Sequence, residues 1–500
     1  MPYFEILCGV AVLLLPLYYY LKSVYRFWEN RGVSGPQPIF CIKSTIKLLL
    51  AKLSSAQFSK DIYDTYKDEP MIGLYISKSP ILILKDPELI KTVLIRDFSS
   101  FTDRGLNVHE RTEPMSLNLL MLDPVRWRPL RSKLSPMFTS GKLKEMFGLI
   151  LECADHFEQY LNKIVAKGGP IDCREITAKF TTDVIGSCAF GLDMSVFEDE
   201  DSEFRRIGRQ IFGVDLENVI RLKLRLHVPK IYDLLGFIAP DRRFAPFFTK
   251  VVADTMKYRK ENNIVRPDFI NMMMELRDHP QKLGDLKLTD TLITAQAFVF
   301  FSAGFETSST TMSNTLYELA LNQEIQDKLR KEIVEHLAKH NGKLEYEHIR
   351  DMEYLDKVFK ETLRKYPPGA IIPRRTVTEY TFQDTKVTIP KQSIVWIPVY
   401  AIHRDSDIYP NPDVFDPERF NEEAIEARHP MNYLPFGDGP RNCIGARFAI
   451  YQTKIGLITI LRNHKVDVCE KTMDSYQLDA ATFLLAPKGG IHLNLSKIQN

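Results

Sequence analysis

The amino-acid sequence predicts a mainly α-helical protein with small β-sheets and an N-terminal membrane-anchor helix. Three observations support this fold class. The first residues form one apolar run, long stretches of the remaining chain repeat apolar residues with helical spacing, and short β-branched runs stand between glycines and prolines. Because no linker follows the first forty residues, we predict an anchor over residues 1–28, a proline-containing connector over residues 29–38 and one large domain over residues 39–500.

The N-terminal run from Phe4 to Leu21 is apolar except for Glu5 and has about the minimum length of a membrane-spanning helix. Tyr18–Tyr20 and Trp28 supply aromatic side chains for the membrane interface. Basic residues follow the run but do not precede it, which by the positive-inside rule puts the rest of the protein on the cytoplasmic side: Lys22, Arg26 and Arg31. The alternatives are a signal peptide, which lacks a basic start and a cleavage site here, and a core helix, which does not suit the extreme terminus.

Beyond the connector, whose Gly35–Pro38 segment cannot continue a helix, the chain reads as one mainly helical domain. Helical spacing of apolar residues predicts helices over Lys142–Val165, Gln296–Leu321, Gln323–His340 and Leu355–Tyr366. Runs of β-branched residues predict strands near Met71–Ser77, Pro80–Leu84, Tyr380–Pro390 and Ile394–Ile397.

Charge and cysteine content exclude some classes of protein. The formal net charge is +2, so nothing calls for nucleic acid as a partner. The seven cysteines are odd in number and widely spaced, and no two form a C-x-x-C pair. They therefore match neither a disulfide framework nor a zinc-finger spacing, and a reducing compartment suits the body of the chain.

One cysteine differs from the others in its surroundings. Cys443 lies in the segment Phe436–Gly445, FGDGPRNCIG, where two glycines and a proline describe a tight loop. The apolar-periodic helix Arg447–Leu461 follows, so the sulfur would lie among free N–H groups at a helix start, which favours the thiolate over the thiol. The thiolate is the form that binds iron.

This loop resembles the haem-binding loop of cytochromes P450, F-x-x-G-x-R-x-C-x-G, at five positions: Phe436, Gly439, Arg441, Cys443 and Gly445. The resemblance implies the cytochrome P450 fold, haem b as cofactor, Cys443 as the iron ligand, and a haem-binding catalytic domain over residues 39–500. A structural cysteine on a Gly-rich turn is the alternative for a lone Cys-x-Gly, but it does not account for the five-position match.

A second matching motif lies in KETLRKYPP. Glu361 and Arg364 are three residues apart and so share a helix face, and Arg419 follows in NPDVFDPERF. Taken alone, Glu361 and Arg364 would be an ordinary surface pair of little energetic value. The resemblance implies instead that Glu361, Arg364 and Arg419 form a buried structural lock behind the haem.

A third motif, Ala303–Thr307, lies within a long apolar helix. Gly304 costs about 1 kcal/mol there relative to Ala, which suggests that some group approaches the backbone closely. Glu306 and Thr307 are polar residues in an apolar stretch and need hydrogen-bonding partners. The resemblance to the family's A-G-x-[DE]-T element implies that Glu306 and Thr307 are catalytic, positioning water and relaying protons to the oxygen under reduction.

The two carboxylates of haem need cationic partners. Trp127 and Arg131 are four residues apart on one helix face, in the Trp-x-x-x-Arg form of the family. The resemblance implies a cofactor-binding set made of Arg104, Trp127, Arg131, Arg374, Phe436 and Arg441, with Cys443 as the metal ligand. Arg375 beside Arg374 leaves open which of these two meets a carboxylate.

The resemblance covers the chain from the anchor to the PKGGIHL tail and is closest to insect microsomal, xenobiotic-metabolising members, through FTDRG, FGDGPRNCIGARFA and FLLAPKGGIHL. By position in the family, mostly apolar residues line the substrate pocket, which predicts a lipophilic substrate: Leu106, Phe298, Phe301, Ala303, Ala370, Ile371, Phe483 and Leu484. Gly369–Ala370 departs from the bulkier residues expected there, which leaves the size of the substrate open.

The resemblance implies a monooxygenase that inserts one oxygen atom from O2 into a lipophilic xenobiotic or an endogenous lipid-like compound. Its electrons would come from NADPH through NADPH–cytochrome P450 reductase, with cytochrome b5 as a second partner. The location implied is the endoplasmic reticulum membrane, with the catalytic domain on the cytoplasmic face. Basic residues at or beyond the Trp127 helix form either a docking patch or an ordinary solvated face: Arg128, Lys133, Lys142 and Lys144.

Two rival classes share the cysteine loop. A haem-thiolate isomerase needs no acid–threonine pair, so Glu306 and Thr307 argue against it. A haem-based sensor would not turn over, and NADPH-dependent product formation separates it from an enzyme.

Overall fold

The computed structural model describes residues 16, 19–20, 22–76, 78–192, 194, 196–198, 202–213, 215–241, 243–266, 268–279, 281 and 286–498. Most of the predicted anchor over residues 1–28 lies outside these residues. Within the described part of the chain, no helix has both the length and the apolar character needed to cross a membrane.

Helices form most of the described structure, as the sequence predicts. In chain order the α-helices are α1 (Pro38–Leu49), α2 (Ser55–Thr65), α3 (Pro87–Lys91), α4 (Pro124–Leu134), α5 (Ser140–Lys167), α6 (Cys173–Ile185), α7 (Glu203–Phe212), α8 (Leu216–His227), α9 (Pro229–Leu235), α10 (Ala245–Glu261), α11 (Phe269–Asp278), α12 (Asp290–Leu321), α13 (Gln323–Lys339), α14 (His348–Asp351), α15 (Glu353–Lys365), α16 (Val399–Ile402), α17 (Glu422–Glu426) and α18 (Ala446–Leu461).

Three small sheets accompany the helices. The strands are β1 (Met71–Ile76), β2 (Ser79–Leu84), β3 (Ile171–Asp172), β4 (Ile372–Arg375), β5 (Tyr380–Phe382), β6 (Val387–Ile389), β7 (Ile394–Ile397), β8 (His464–Asp467) and β9 (His492–Lys497). They pair in the orders β1-β2-β7-β4, β3-β9-β8 and β5-β6. The pairing of β2 with β7 is parallel and joins segments about 300 residues apart in sequence, whereas the other ladders are antiparallel.

The predicted helices agree with α5, α12, α13 and α15, with ends that differ by a few residues. The largest difference is at α12, which begins at Asp290 rather than near residue 296. Thr289 accounts for this start, because its side chain accepts a hydrogen bond from the N–H group of Leu292 at 3.1 Å and caps the helix.

Helix α12 packs closely against α6 through the centre of the molecule. The hydroxyls of Thr177 and Thr181 on α6 donate to backbone carbonyls of α12 at 3.1 and 3.0 Å. A Cβ atom on Gly304 would lie 2.4 Å from the Ile185 side chain. The close approach expected at Gly304 is therefore the contact with α6, and it leaves the other side of α12 for the cavity described below.

Trp28 lies in the body of the protein, contrary to the prediction that it sits at the membrane interface. Its side chain is 2% exposed, its Nε1 donates to Leu74 O at 3.0 Å, and a Cβ on Gly73 would lie 2.3 Å from its ring. The indole N–H finds a backbone partner at β1, so burial leaves no polar group unsatisfied.

Candidate active site

The cysteine loop, residues 436–445, is a tight turn that precedes α18. The N–H group of Cys443 donates to Phe436 O at 2.9 Å, and that of Asn442 donates to Gly439 O at 3.0 Å. Gly439 has φ +72°, and a Cβ there would lie 1.9 Å from Leu94 O. A side chain at this position would therefore push the loop away from residue 94.

Cys443 lines a large internal cavity, so its side chain is accessible although it lies deep within the protein. Burial raises the pKa of the Cys443 thiol, and this outweighs the lowering by the Gly445 N–H group, Arg104 and Arg131. The Gly445 N–H group at the helix start thus favours the thiolate as expected, but burial opposes the thiolate more strongly. A thiolate here needs the further positive charge of a bound metal ion.

The cavity extends from the cysteine loop to α12 and has a volume of about 1210 Å³. Ligand pockets usually span about 300–1,000 Å³, so this one has room for a large cofactor together with a second molecule. Most of the surface that lines it is apolar, and charged side chains make up part of the remainder. All but one of the residues predicted for the cofactor, the catalytic pair and the substrate pocket belong to this lining.

Phe301 is the exception, and its assignment to the pocket is wrong. Its side chain is fully buried, and its ring lies 5.4 Å from Phe248, 5.8 Å from Phe204 and 5.0 Å from Phe305. Phe301 and Phe305 are four residues apart, so they share the face of α12 that packs against other helices. The cavity lining from α12 includes Phe298, Ala303 and Thr307.

Three arginines line the cavity together: Arg374 and Arg441, which are buried, and Arg104, which is half-buried. Arg104 Nη2 donates to Arg441 O at 2.6 Å, Arg441 Nη2 donates to Leu122 O at 2.9 Å and Arg374 Nη1 donates to Pro373 O at 2.9 Å. The Nε atoms of all three, and Nη1 of Arg441, are buried without a hydrogen-bond partner among the described residues. Such nitrogens are costly to bury unpaired, which indicates a site for an anionic ligand.

The charges of these arginines oppose one another. Burial lowers the pKa of Arg104 to about 10, and burial together with repulsion from Arg104 lowers that of Arg441 to about 9. Burial and the charges of Arg104 and Arg441 hold the pKa of Arg374 well below its usual value. A ligand with two carboxylates would relieve this repulsion, so the donor set fits the two propionates of haem.

Arg374 and Arg375 have different partners. Arg375 Nη2 lies 2.8 Å from Asp103 Oδ2, and its Nη1 donates to Asn107 Oδ1 at 3.0 Å. Arg375 is thus already neutralised, whereas Arg374 belongs to the unpaired cluster.

Trp127 and Arg131 on α4 contact the cysteine loop directly. The guanidinium of Arg441 stacks over the Trp127 ring at 4.3 Å from its centroid. Arg131 donates from Nη2 to Asn442 Oδ1 at 2.9 Å and from Nη1 to Asn442 O at 3.2 Å. Asn442, the residue before Cys443, therefore joins the cysteine loop to α4, and no sequence motif points to it.

Thr307 and Glu306 have different neighbours on α12. Thr307 Oγ1 donates to Ala303 O at 2.7 Å, and both residues line the cavity. Glu306 is buried, with its carboxylate ion-paired to Arg174 of α6. Both residues line the cavity, but Thr307 bonds within α12 whereas Glu306 is bound to a neighbouring helix.

The carbonyl of Gly304 also has a side-chain partner. Gln452 of α18 donates from Nε2 to Gly304 O at 3.2 Å. This contact joins the helix that follows Cys443 to the helix that faces it across the cavity. Neither Gln452 nor Arg174 carries a sequence signal that would have identified it.

Glu361, Arg364 and Arg419 come together in a buried cluster. Arg364 binds Glu361 through two hydrogen bonds of 2.7 and 2.8 Å, with both side chains fully buried. Arg419 Nε lies 3.6 Å from Glu361 Oε1, and the N–H group of Asp416 donates to the same oxygen at 2.9 Å. Burial raises the pKa of Glu361 despite the lowering by Arg364, so the carboxylate depends on these partners to stay ionised.

His403 connects this cluster to the cysteine loop and was missed by sequence reasoning. The N–H group of Leu434 donates to His403 Nε2 at 2.9 Å, so the ring proton lies on Nδ1, 3.2 Å from Arg364 O. Arg364 Nη1 also donates to His403 O at 2.9 Å. Burial, with the charge of Arg364, lowers the pKa of His403 to about 3.

Half of the predicted basic patch has acidic partners. Lys144 Nζ lies 2.6 Å from Glu347 Oε1, and Lys142 Nζ lies 2.7 Å from Glu145 Oε2. Arg128 remains exposed and Lys133 half-buried. The positive charge of this surface is therefore smaller than the four residues alone suggest.

The comparisons with known proteins agree with this site. The sequence model of the family described as cytochrome P450 matches residues 33–494. Probable cytochrome P450 6a13 of Drosophila melanogaster is 41% identical over 486 residues, covering 97% of this chain and 97% of that protein. Cytochrome P450 6A1 of Musca domestica is 36% identical over 500 residues, covering 99% and 98%. The matched residues include all of those that line the cavity from Arg104 to Leu484.

Proposed function

Because this chain belongs to the cytochrome P450 family and is therefore a haem monooxygenase, we propose that Cys443 is the thiolate ligand of its haem iron. When bound, the haem supplies the iron at which O2 is activated. The observation that carries this assignment is that Cys443 lines the same cavity as three arginines with buried, unpaired nitrogens.

A carbon-monoxide difference spectrum of the reduced protein tests the ligand. The wild type should show the red-shifted Soret band of a thiolate-ligated haem, and Cys443→Ser should lose it. Cys469→Ser is a matched control, because Cys469 is half-buried and not part of the cavity. A wild-type spectrum without the red-shifted band would contradict the proposal whatever the variants do.

The haem propionates are assigned to the arginine cluster. Arg104, Arg374 and Arg441 would bind them through their free nitrogens, with Arg131 nearby on α4. Trp127 would support this arrangement by stacking on Arg441, and Phe436 would pack beside the cysteine at the start of the loop. Glu361, Arg364 and Arg419 keep a structural role, since their contacts link α15 to the segment 411–419 and none is part of the cavity lining.

Proton delivery is assigned to Thr307 and Glu306. The Thr307 hydroxyl borders the cavity and can hold water or donate a proton there, with Ala303 O as its alternative partner. Glu306 can take up and release a proton behind it, while Arg174 fixes the position of its carboxylate. General acid–base groups of this kind contribute about 10²–10⁴-fold to a rate.

The substrate is proposed to be lipophilic, either a xenobiotic or an endogenous lipid-like compound. Apolar side chains of the cavity support this, including Leu106, Phe298, Ala370, Ile371, Phe483 and Leu484. Gly369 and Ala370 have small side chains and line the cavity next to β4. The cavity can therefore hold a broad substrate at this point. NADPH-dependent product formation from an apolar test compound would separate this enzyme from a haem-based sensor.

The electron donors are proposed to be NADPH–cytochrome P450 reductase, with cytochrome b5 as a second partner. Arg128 and Lys133 lie on α4, which contacts the cysteine loop through Arg131 and Asn442. This surface would bind an acidic partner. Arg128→Glu and Lys133→Glu should raise the KM for reductase and weaken its salt dependence. An unchanged KM in both variants would remove this surface from the docking site.

The location is proposed to be the endoplasmic reticulum membrane, with residues 1–28 as anchor, 29–38 as connector and 39–500 as the domain on the cytoplasmic face. Support comes from exposed apolar residues on α1 and around α9: Ile39 (68%), Ile46 (51%), Leu234 (62%), Phe237 (67%) and Ile238 (82%). A chain lacking residues 1–21, which keeps the buried Trp28, should still float with liposomes, and Phe237→Asp with Ile238→Asp should reduce flotation. If the truncated wild type does not float, this apolar surface does not bind membranes.

A further inference from the structure

Three histidines lie together where α13 ends and α14 begins. His336 and His340 are four residues apart, a spacing that brings both side chains to one helix face, and His348 is the first residue of α14. One ring nitrogen of each histidine lies within 4.8 Å of those of the other two. None of the three belongs to the active-site cavity.

The ring nitrogens are available as ligands. His336 Nε2 is buried and has no hydrogen-bond partner among the described residues. His348 Nδ1 accepts a hydrogen bond from the N–H group of Glu345 at 3.2 Å, which orients the ring and leaves Nε2 for another partner. Burial and the repulsion from His340 and His348 lower the pKa of His336, which favours the neutral imidazole that binds metals.

We propose that His336, His340 and His348 bind one divalent transition-metal ion, for which Zn²⁺ is the fitting ion. Imidazole nitrogen suits zinc, nickel and copper, whereas Mg²⁺ and Ca²⁺ require oxygen ligands. Zn–N bonds are about 2.0–2.1 Å long in four-coordinate sites. The three nitrogens, which now lie within 4.8 Å of one another, must therefore move slightly closer together by rotation of the rings. Three protein ligands leave the fourth position to water.

By binding both His340 and His348, the ion would hold together the two ends of the loop between them. Residues 341–347 join His340 to His348, and two of this loop's contacts with the rest of the domain lie at its C-terminal end. The Tyr346 ring stacks on Tyr451 of α18 with centroids 4.3 Å apart, and Glu347 pairs with Lys144 of α5 at 2.6 Å. Holding the two ends of this loop together should strengthen both contacts, so Zn²⁺ should stabilise the folded protein.

Isothermal titration of the purified holoenzyme with Zn²⁺ tests the site, using a protein whose affinity tag contains no histidine. The wild type should bind one Zn²⁺ with high affinity and should not bind Mg²⁺ there. His340→Gln should weaken this binding by at least ~10-fold, since even the loss of a residue that only supports a ligand costs that much. His279→Gln, an exposed histidine outside the cluster, should bind like the wild type.

Hydrogen exchange followed by mass spectrometry localises the effect. Zn²⁺ should slow amide exchange in peptides that cover residues 336–348 of the wild type and leave the same peptides of His340→Gln unchanged. Two results would overturn the proposal: equal Zn²⁺ affinity in the wild type and His340→Gln, or protection by Zn²⁺ only in peptides outside this loop. His336→Gln is the second variant if His340→Gln does not fold.

Discussion

The carboxylate of Glu306 on α12 is ion-paired with the guanidinium of Arg174 on α6, and the pair joins the haem cavity to the protein surface. The side chain of Glu306 is 6% exposed and that of Arg174 is 28% exposed. Burial lowers the pKa of Arg174, but the attraction of Glu306 outweighs it and raises that pKa overall. Arg174 therefore stays protonated, and Glu306 keeps a charged partner throughout a proton transfer.

Arg174→Ala should uncouple electron use from product formation. Without Arg174 the Glu306 carboxylate is buried without a charged partner, so the proton delivery that we propose for Glu306 should fail. We expect product formed per NADPH consumed to fall by about tenfold, less than the ~10²–10⁴-fold effect of losing a general acid–base group, because Glu306 itself remains. Product and NADPH consumption measured together, with reductase present, check this.

Arg205→Ala is the matched control for Arg174→Ala. Arg205 pairs with Glu175, the residue next to Arg174, at 2.8 Å, and neither Arg205 nor Glu175 lines the cavity. This variant should lose stability without loss of coupling. Equal coupling in Arg174→Ala and the wild type would show that Glu306 does not need this partner.

Thr307→Val should reduce coupling through a different group. Valine has nearly the shape of threonine but no hydroxyl, so the hydrogen bond to Ala303 O and the proton donor at the cavity are lost together. We expect product per NADPH to fall about tenfold or more and hydrogen peroxide to rise. Thr307→Ser should restore most of the product.

Thr311→Val controls for the loss of a hydroxyl from the same helix. Thr311 lies one turn further along, also lines the cavity and donates to Thr307 O at 2.8 Å. If Thr311→Val and Thr307→Val had the same effect, the requirement would be for the hydrogen-bonded helix rather than for a proton donor.

Arg374→Gln should weaken haem retention far more than Arg375→Gln. Arg374 has a buried free nitrogen in the cavity, whereas Arg375 is already paired with Asp103. A hydrogen bond to a charged group is worth about 1.5–3 kcal/mol, so haem loss from Arg374→Gln should be about 10–100 times faster. The rate of haem transfer to excess apomyoglobin measures this, and faster loss from Arg375→Gln would reverse the assignment.

The short motifs of the site could be predicted from sequence because each depends on neighbours in the chain. The glycines of the cysteine loop, the Glu361–Arg364 spacing and the Ala303–Thr307 element all carry their geometry locally. The partners of these motifs could not be predicted. Arg174 meets Glu306 and Gln452 meets Gly304 across more than a hundred residues, which only the packing of α6, α12 and α18 brings about.

Two side chains lie away from their predicted places for the same reason. The position of Phe301 in the helix of the Ala303–Thr307 motif predicts that it lines the substrate pocket. Its orientation depends instead on which face of α12 packs against Phe204 and Phe248. The short distance of Trp28 from the apolar run in sequence predicts a place at the membrane interface. In the structure its indole donates to Leu74 O of β1 and packs against Gly73 of the same strand. Strand β4, Ile-Pro-Arg-Arg, has little strand character of its own and exists by pairing with β7.

His403 should make the folded protein sensitive to acid. Its pKa is about 3 in the fold and about 6.5 in an unfolded chain, so the unfolded state binds the proton first as pH falls. Stability contributed by neutral His403 is present above pH 6.5 and is lost towards pH 3, by up to about 1.4 kcal/mol per pH unit. Free energies of unfolding measured at pH 7.0, 6.0 and 5.0 check the slope.

His403→Gln should reduce this slope even though it lowers stability at neutral pH. Glutamine can accept the Leu434 N–H hydrogen bond but does not titrate. The unfolded state then binds one proton fewer relative to the folded state as the pH falls, so the slope decreases. His279→Gln, at an exposed position, should keep the wild-type slope. A slope unchanged in His403→Gln would mean that this histidine is not the acid-sensitive group.

Glu113→Gln should speed the binding of apolar ligands by loosening the cover of the cavity. Arg225 of α8 binds both carboxylate oxygens of Glu113 at 2.9 and 3.0 Å, and both residues line the cavity. His109 of the same loop lies 2.7 Å from Asp233 of α9. These contacts hold α8 and α9 against the loop 105–113. A ligand that enters between the loop and these helices can do so only when the contacts break.

Stopped-flow measurement of the Soret shift on mixing with an apolar ligand should therefore give a larger association rate for Glu113→Gln, by about tenfold if the lost pair is worth about 1.4 kcal/mol. The dissociation rate should rise with it, because the same opening serves both directions, and Kd should change little. Glu217→Gln is the control: it removes a pair with Arg221 within α8 that does not reach the loop. Rates that stay at the wild-type values in Glu113→Gln, or that rise equally in Glu217→Gln, would show that ligands enter elsewhere.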